Sequence, residues 1–294
     1  MDGLVCQRLR PVAETLCEPV PVRVETALAC LLLVAPPGPP GAVGIPTSVA
    51  PPPVARGMSQ RAAIDLRTIG SSPVTSLEWS GYAVTGPTFS NVESSWVQPT
   101  VSCPIQKVQQ SAFWVGIDGF AANTNDQTVE QIGTDTDCTK RSRKVPGGPV
   151  HYAWFELFPG ALMVLPPATY PVVPGDVLSA SIHVSGAAYA LALIDVGHWR
   201  FLTTVATSKV EQNASAEWIA EAPIACVGTK CKPQPLAHFG SVGFTGASAN
   251  GEALTAADLN SSVITMTAEK VRVVKARPGP LVGGCAFTVT WLAP

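Results

Sequence analysis

Apolar and polar residues alternate with a period of two along many short segments of this chain. In residues 177–184, Leu178 and Ile182 fall on one face of an extended strand and the serines between them fall on the other, because successive strand side chains point to opposite sides. Proline, glycine and aspartate form a turn signal just before this segment, at residues 174–176, and no long run has the 3.6-residue period of a helix. The pattern predicts an all-β fold, an antiparallel β-sandwich.

The same alternation and the same kind of turn signal locate the other strands. The predicted strand segments are residues 78–84, 92–99, 113–131 (two strands joined by a polar loop), 177–184, 263–274 and 287–291.

The third of these segments carries the most informative surface. In its first strand Trp114, Gly116 and Asp118 point one way, and Val115 and Ile117 point the other. The second set has the composition of a core. The first set places an aromatic ring, a gap without a side chain and a carboxylate on one surface, which is typical of a groove that holds a ligand.

Composition divides the chain into three parts. Residues 1–35 end in a nine-residue apolar run, 27–35, which is too short to span a bilayer and fits a signal peptide with positive charge upstream. A disordered proline-rich extension without an export role is the alternative. Residues 36–53 hold eight prolines in eighteen positions, so we predict a linker or short propeptide over 36–74. The sandwich domain is expected to cover residues 75–294.

Composition also excludes several classes of function. Only 14% of residues are charged, the net charge is −2, and without a basic run a nucleic-acid surface is not expected. The four histidines are scattered without the spacing of metal ligands, so we expect neither a metal site nor a cofactor. Low charge combined with many glycine, serine, threonine and valine residues suits a secreted β protein.

The predicted sandwich domain carries five cysteines, an odd number, so one thiol stays free if the leader is removed. Cys226 and Cys231 are five residues apart with a glycine between them, and a tight loop can bring their Cβ atoms together. We predict a disulfide there. Cys103 and Cys138 are the second predicted pair, which leaves Cys285 free.

Three motifs occur in a defined order in the predicted domain. The first is Trp-Val-Gly-Ile-Asp-Gly from Trp114, followed by a Gln-x-Gly at Gln131; the second is the aromatic strand with an acid at residues 151–159; the third is Ala-Glu-Trp-Ile-Ala-Glu at residues 216–221. Together they resemble the glutamic peptidases, or eqolisins, a family of endopeptidases. The resemblance covers residues 78–294 and implies a concanavalin-like sandwich of two large antiparallel sheets with a concave groove.

The resemblance also implies roles for individual residues. Glu221 is the implied general base that removes a proton from water, and Gln131 is the implied amide that donates to the oxyanion. A glutamine never ionises, so it does not repel Glu221 as a second carboxylate would. Glu217 is expected at the surface or behind this pair. The residues implied to line or support the groove are Trp79, Trp114, Asp118, Trp154 and Glu156.

We therefore expect a secreted, monomeric endopeptidase. It would act on proteins or peptides at about pH 3 to 6, the range in which a carboxylate base can work. The family also carries a small disulfide loop just after its catalytic strand, which the Cys226–Cys231 spacing resembles. Tyr152 stands where the aromatic strand of the family has an aspartate, and the chain is less acidic than the fungal members. These departures bear on the pH optimum and the substrate preference more than on the catalytic pair.

Two other functions are compatible with the residues alone. A lectin-like sandwich would use Trp79, Trp114 and Trp154 to hold a sugar or peptide without cleaving it. A glycosidase would use Glu156 and Glu221 as paired carboxylates, about 5–5.5 Å or 6.5–9.5 Å apart. Gln131 favours the peptidase, because a glycosidase needs no amide at that place.

Overall fold

The computed structural model describes residues 74–104, 107–120, 128–142, 147–207, 212–227, 230–269 and 273–294, together with two short strands near the N-terminus. Those two strands, Leu4–Cys6 (β1) and Cys17–Pro19 (β2), pair antiparallel and belong to a unit of residues 1–38, distinct from the unit of residues 39–294. The remainder of the predicted leader and linker lies outside the described residues.

The larger unit is built from strands, and its described residues contain no helix. In chain order the strands are Val74–Ser76 (β3), Trp79–Thr85 (β4), Asn91–Val97 (β5), Gln109–Ile117 (β6), Val129–Thr139 (β7), Gly148–Phe158 (β8), Met163–Val164 (β9), Val177–Ser185 (β10), Ala188–Asp195 (β11), Trp199–Ala206 (β12), Ser215–Glu221 (β13), Ile224–Val227 (β14), Lys230–Pro233 (β15), Ser241–Ala249 (β16), Glu252–Ala253 (β17), Asn260–Thr267 (β18), Val274–Pro278 (β19) and Phe287–Trp291 (β20).

Hydrogen-bonded neighbours form one path that folds into two layers. The order is β12-β11-β10-β5-β16-β20-β19-β18-β4-β13-β6-β7-β8-β9, with β17 beside β16 and β3 beside β18. Strands β5 and β10 from one part of this path pack against β6 and β7 from the other. Apart from the parallel pairing of β3 with β18, these strand pairs are antiparallel. The predicted antiparallel β-sandwich is confirmed.

Apolar side chains fill two separate clusters. The larger one lies between the layers and includes Phe113, Val115 and Ile117 of β6, the set predicted to be core. The smaller one includes Trp114 and Ile219, which alternate with the first set and therefore lie on the opposite face of the β4-β13-β6-β7-β8 layer. This layer is thus apolar on both faces, and the candidate site belongs to the second face.

Most predicted strands are present, but one is divided. Residues 263–274 were predicted as a single alternating run, whereas the structure contains β18, which ends at Thr267, and β19, which begins at Val274. The two strands pair antiparallel with a shift of register. Alternation continues across the connection, so the periodicity alone does not show where the chain reverses.

Both predicted disulfides are present. Cys226 and Cys231 are bonded with their Cα atoms 4.0 Å apart, and Cys103 is bonded to Cys138 with the Cα atoms 5.3 Å apart. The prediction that Cys285 stays free is wrong, because this cysteine is also disulfide-bonded.

Candidate active site

Three rows of side chains cross the layer on its second face. Residues directly opposite each other in an antiparallel pair share a face, so the strand registers define the rows. One row runs Glu217, Gly116, Gln131, Glu156; the next runs Ile219, Trp114, Gly133, Trp154; the third runs Trp79, Glu221, Ala112, Asp135, Tyr152. The residues predicted from distant parts of the sequence thus occupy one surface.

Glu221 ends β13 in the third row. It is 9% exposed, and the indole Nε1 of Trp114 donates a hydrogen bond to its Oε2 at 2.7 Å. Trp79 lies opposite it on β4 and packs edge-on against Trp114 with 5.1 Å between the ring centroids. One oxygen of the carboxylate is therefore held by a charge-assisted bond within an aromatic wall.

Gln131 lies on β7 and has a different partner. Its Nε2 donates to Oε2 of Glu156 on β8 at 2.9 Å, and the two side chains are 7% and 6% exposed. The amide Oε1 is buried and has no hydrogen-bond partner among the described residues. Because the carboxylate only accepts, this contact orients the amide with nitrogen toward Glu156 and oxygen toward the remaining space.

Two glycines give the tryptophan its position. A Cβ on Gly116 would lie 2.8 Å from Cζ3 of Trp114, so the ring extends over Gly116. A Cβ on Gly133 would lie 2.1 Å from the carbonyl oxygen of Phe113 and 2.6 Å from Cβ of Trp114. The gap predicted at Gly116 is therefore filled by Trp114 itself, and this ring lies between the strands of Gln131 and Glu221.

Asp118 was predicted to line or support this surface, and its contacts are supporting ones. It follows β6 with φ of 66°, and its carboxylate accepts the backbone N–H groups of Asn213 at 2.8 Å and Ala214 at 2.6 Å. Burial raises the pKa of Asp118, and the backbone donors oppose that rise. These bonds tie the end of β6 to the start of β13.

Trp79 and Trp154 occupy the predicted face but expose little of their rings. Trp79 is 4% and Trp154 0% exposed, and both belong to the second apolar cluster. Beside them, Tyr152 donates through its hydroxyl to Asp137 at 3.2 Å. The aromatic residues thus build the wall of the site and leave little ring surface on which a ligand could stack.

Glu217 is not at the surface. Its side chain is fully buried, in the same row as Gly116 and Gln131. Burial raises its pKa well above the ordinary value, and the nearby charges of Asp118 and Glu130 act in the same direction. Glu217 was expected either at the surface or behind Glu221 and Gln131, and its burial agrees only with the second of these positions.

Glu78 is a buried acid that sequence reasoning missed. It is 3% exposed, and its carbonyl oxygen accepts the N–H of Ala222, the residue after Glu221, at 2.8 Å. Burial, and then the charge of Glu221, raise its pKa well above the ordinary value. The available signal was the acid immediately before Trp79, but only the pairing of β4 with β13 brings it to the site.

One group outside this face has the composition of a metal site. Ligand atoms of Asp176, Asp195 and His198 lie within 4.8 Å of one another, at the ends of β10 and β11. His198 hydrogen-bonds Asp195 at 3.0 Å, and Asp176 accepts the N–H of Val173 at 2.7 Å. Each of these contacts joins residues three apart in the chain, so these side chains are engaged within their own turns. In the described part of the chain there is also no helix of the length and apolarity that a bilayer crossing needs.

The chain is similar in fold to scytalido-glutamic peptidase. Two crystal structures of that enzyme, one with a transition state analog inhibitor and one with a peptide based transition state analog, match with TM-scores of 0.59 and 0.58. The identities are 18% and 19%, and each match covers 73% of this chain and 98% of the other.

No curated protein matches the sequence. The model of the Peptidase A4 family, however, matches residues 77–277, a span that contains all three rows of the candidate site. The chain therefore belongs to the Peptidase A4 family and is a peptidase.

Proposed function

We propose that this protein is a secreted endopeptidase that cleaves proteins or peptides at acidic pH with Glu221 as general base and Gln131 as oxyanion donor. The observation that carries the proposal is the shared face of the two residues. Gln131 on β7 and Glu221 on β13 flank β6, and the ring of Trp114 lies between them, bonded to Glu221. A base and a neutral amide donor on one surface suit peptide hydrolysis.

In this mechanism Glu221 begins ionised and takes a proton from the attacking water. The bond from Trp114 holds the carboxylate of Glu221 in position, and the carboxylate accepts that proton. As the water oxygen attacks the peptide carbonyl, its C=O bond becomes an oxyanion. Glu221 then passes its proton to the amine as the C–N bond breaks.

Gln131 has atoms suited to both parts of the reaction. One N–H of its amide is engaged by Glu156, and the second is available for an oxyanion. Its buried Oε1 has no partner among the described residues, so it is an acceptor suited to orient the attacking water. Glu156 therefore acts as a positioning residue for the amide.

Two observations weigh against the alternatives. A lectin-like binder would need aromatic rings on which a sugar can stack, but Trp114 and Trp154 are each 0% exposed. A glycosidase would need Glu156 as an acid or nucleophile beside the sugar, whereas this carboxylate is engaged by the amide of Gln131. We therefore retain the peptidase as the single proposal.

The test is cleavage of denatured casein between about pH 3 and 6, the range in which a carboxylate base works. The wild-type protein should generate internal cleavages, and Glu221→Gln should lose at least about a thousandfold in kcat while circular dichroism stays unchanged. Glu252→Gln, an exposed residue of β17, serves as the matched control. Clear proteolysis by purified, folded Glu221→Gln would refute the assignment.

Export and the monomeric state are part of the same proposal. Two disulfides in the described residues suit an oxidising compartment, and the apolar run at 27–35 suits a signal peptide. N-terminal sequencing of protein recovered from the culture medium should place the mature start after residue 35. Sedimentation of the purified domain should yield the mass of one chain.

A further inference from the structure

Glu78 is a buried carboxyl that the proposed reaction does not use. It lies in a bend between β3 and β4, where the hydroxyl oxygen of Ser76 accepts the N–H groups of Glu78 at 3.2 Å and Trp79 at 3.0 Å. The side chain is 3% exposed, and its Oε2 has no hydrogen-bond partner among the described residues. A buried acid without a cation or a full set of donors favours its neutral form.

The backbone places this acid beside Glu221. Ala222 donates its N–H to the carbonyl of Glu78 at 2.8 Å, and Trp79 lies opposite Glu221 in the β4–β13 pair. The start of β4 and the end of β13 are therefore joined at this point. The charge of Glu221 adds to burial in raising the pKa of Glu78, so the two carboxyls interact.

The other ionisable groups on the packed strands include Asp135, Glu217 and Lys275. Asp135 on β7 is in the row of Glu221, with Ala112 between them, and Glu217 is four residues earlier on β13. Lys275 on β19 directs its ammonium to the carbonyl of Gln234 at 3.4 Å, and burial lowers its pKa to about 8. Among these groups, Glu221 is the one whose charge acts on Glu78.

The Glu221 cycle alone does not explain why activity would fall as pH rises. The proton that Glu221 takes from water returns to the amine, so the free enzyme needs an ionised base and no additional acid. Such a cycle predicts a kcat/KM that rises with pH and then levels off. A falling alkaline limb requires a second group that must keep its proton.

We propose that Glu78 is this second group, a positioning residue that is neutral in the active enzyme and whose ionisation ends activity on the alkaline side. While Glu78 is neutral, Glu221 can ionise beside it without repulsion. Once Glu78 ionises, two buried negative charges repel each other, and the oxyanion of the transition state adds a third. This inference rests on the proposed function of Glu221.

The first test is the kcat/KM profile of Glu78→Gln on one fluorogenic peptide from about pH 2 to 9. The amide keeps the size of the side chain and stays neutral, so the alkaline limb should move up by at least about one pH unit while the acid limb stays in place. Glu252→Gln should leave both limbs unchanged. An alkaline limb identical to that of the wild type, or an equal loss of activity at every pH, would overturn the inference.

The second test needs no turnover. The carboxyl carbon of Glu78 is followed by ¹³C NMR during pH titration of the wild-type protein and of Glu221→Gln. Removing the negative neighbour should lower the pKa of Glu78 measurably, because the repulsion that raises it is gone. An unchanged Glu78 titration would overturn this inference alone, whereas absence of cleavage by the wild-type enzyme would overturn the proposed function.

Discussion

The indole Nε1 of Trp114 donates to Oε2 of Glu221 across two neighbouring strands, at 2.7 Å. Both side chains are buried or nearly so, and the contact joins the middle of β6 to the end of β13. A hydrogen bond to a charged acceptor is worth about 1.5–3 kcal/mol. This bond thus has the strength to hold the proposed base in one orientation.

Trp114→Phe should weaken catalysis without unfolding the domain. The phenyl ring retains much of the packing, but the lost donor disfavours the ionised carboxylate. We expect kcat/KM to fall about tenfold to a hundredfold and the acid limb of the pH profile to move to higher pH. Trp291→Phe, which removes an indole bond to the carbonyl of Leu236 outside the three rows of the candidate site, should leave that limb in place. A shift of equal size in both variants would contradict the role of the Trp114 bond.

Gln131→Ala should lose about a hundredfold or more in kcat, the usual effect of removing an oxyanion donor. Gln131→Glu is the matched variant, because it keeps the shape and adds a titratable charge beside Glu156. Its deficit should be larger at pH 6 than at pH 3, since the new carboxylate repels the oxyanion once it ionises. Steady-state assays at both pH values measure this; a deficit independent of pH would show that charge at this position is unimportant.

Gly116→Ala and Gly133→Ala should separate activity from stability. The added methyl at Gly116 meets the edge of the buried Trp114 ring, so kcat/KM should fall, while the loss of stability should be smaller than at Gly133, where the contact is with backbone. The added methyl at Gly133 meets the backbone oxygen of Phe113, which cannot move easily, so the free energy of unfolding should fall by at least about 1–3 kcal/mol. Thermal melts and peptidase assays on both variants decide this; equal stability would contradict the register of β6 and β7.

Glu217→Gln should change how stability depends on pH. Burial raises the pKa of Glu217 above its ordinary value of about 4.5. The stability that depends on its neutral form is therefore complete below about pH 4.5 and is lost as pH rises through the folded-state pKa. Urea unfolding between pH 4 and 8 should show that the free energy of unfolding of the variant increases relative to that of the wild type as pH rises. A difference independent of pH would mean that Glu217 does not titrate in this way.

His151 has the opposite effect on how folding stability depends on pH. Burial lowers its pKa from 6.5 to about 4, so stability is present above about pH 6.5 and is lost as pH falls toward 4. The ring contacts Thr136 at 2.8 Å on the face of the layer opposite the candidate site. The Glu217→Gln comparison therefore has to be made as a difference between variants at each pH, which cancels this contribution.

Replacing Cys226 and Cys231 by serine should lower stability by about 2 kcal/mol, because the closed loop is short. Strand β14 begins three residues after Glu221, so freeing the loop should also reduce activity more than stability alone explains. Cys103→Ser with Cys138→Ser is the comparison, since that disulfide closes a longer loop, with a sequence separation of 35. A larger activity loss in this second variant, at matched stability, would refute a link between the small loop and the catalytic strand.

Individual residues show which structural features could be predicted from the sequence. Alternation correctly separated Trp114 and Gly116 from Val115 and Ile117, because the direction of a strand side chain is set locally. Motif resemblance correctly indicated the family. The burial of Glu217 and the place of Glu78 beside Glu221 were not accessible, because both depend on which strands become neighbours.

The sequence by itself indicated the all-β class, the two faces of β6, both predicted disulfides and the family, since period-two patterns, cysteine positions and short motifs can be read without knowing which strands become neighbours. The tertiary structure alone decided that Trp114 fills the gap over Gly116, that residues 263–274 form two strands and that Cys285 is bonded. It also decided which acids are buried together at the end of β13. The physical reason is that strand order and register join residues more than a hundred positions apart, as for Trp114 and Glu221, and the free energy of a buried charge depends on those neighbours.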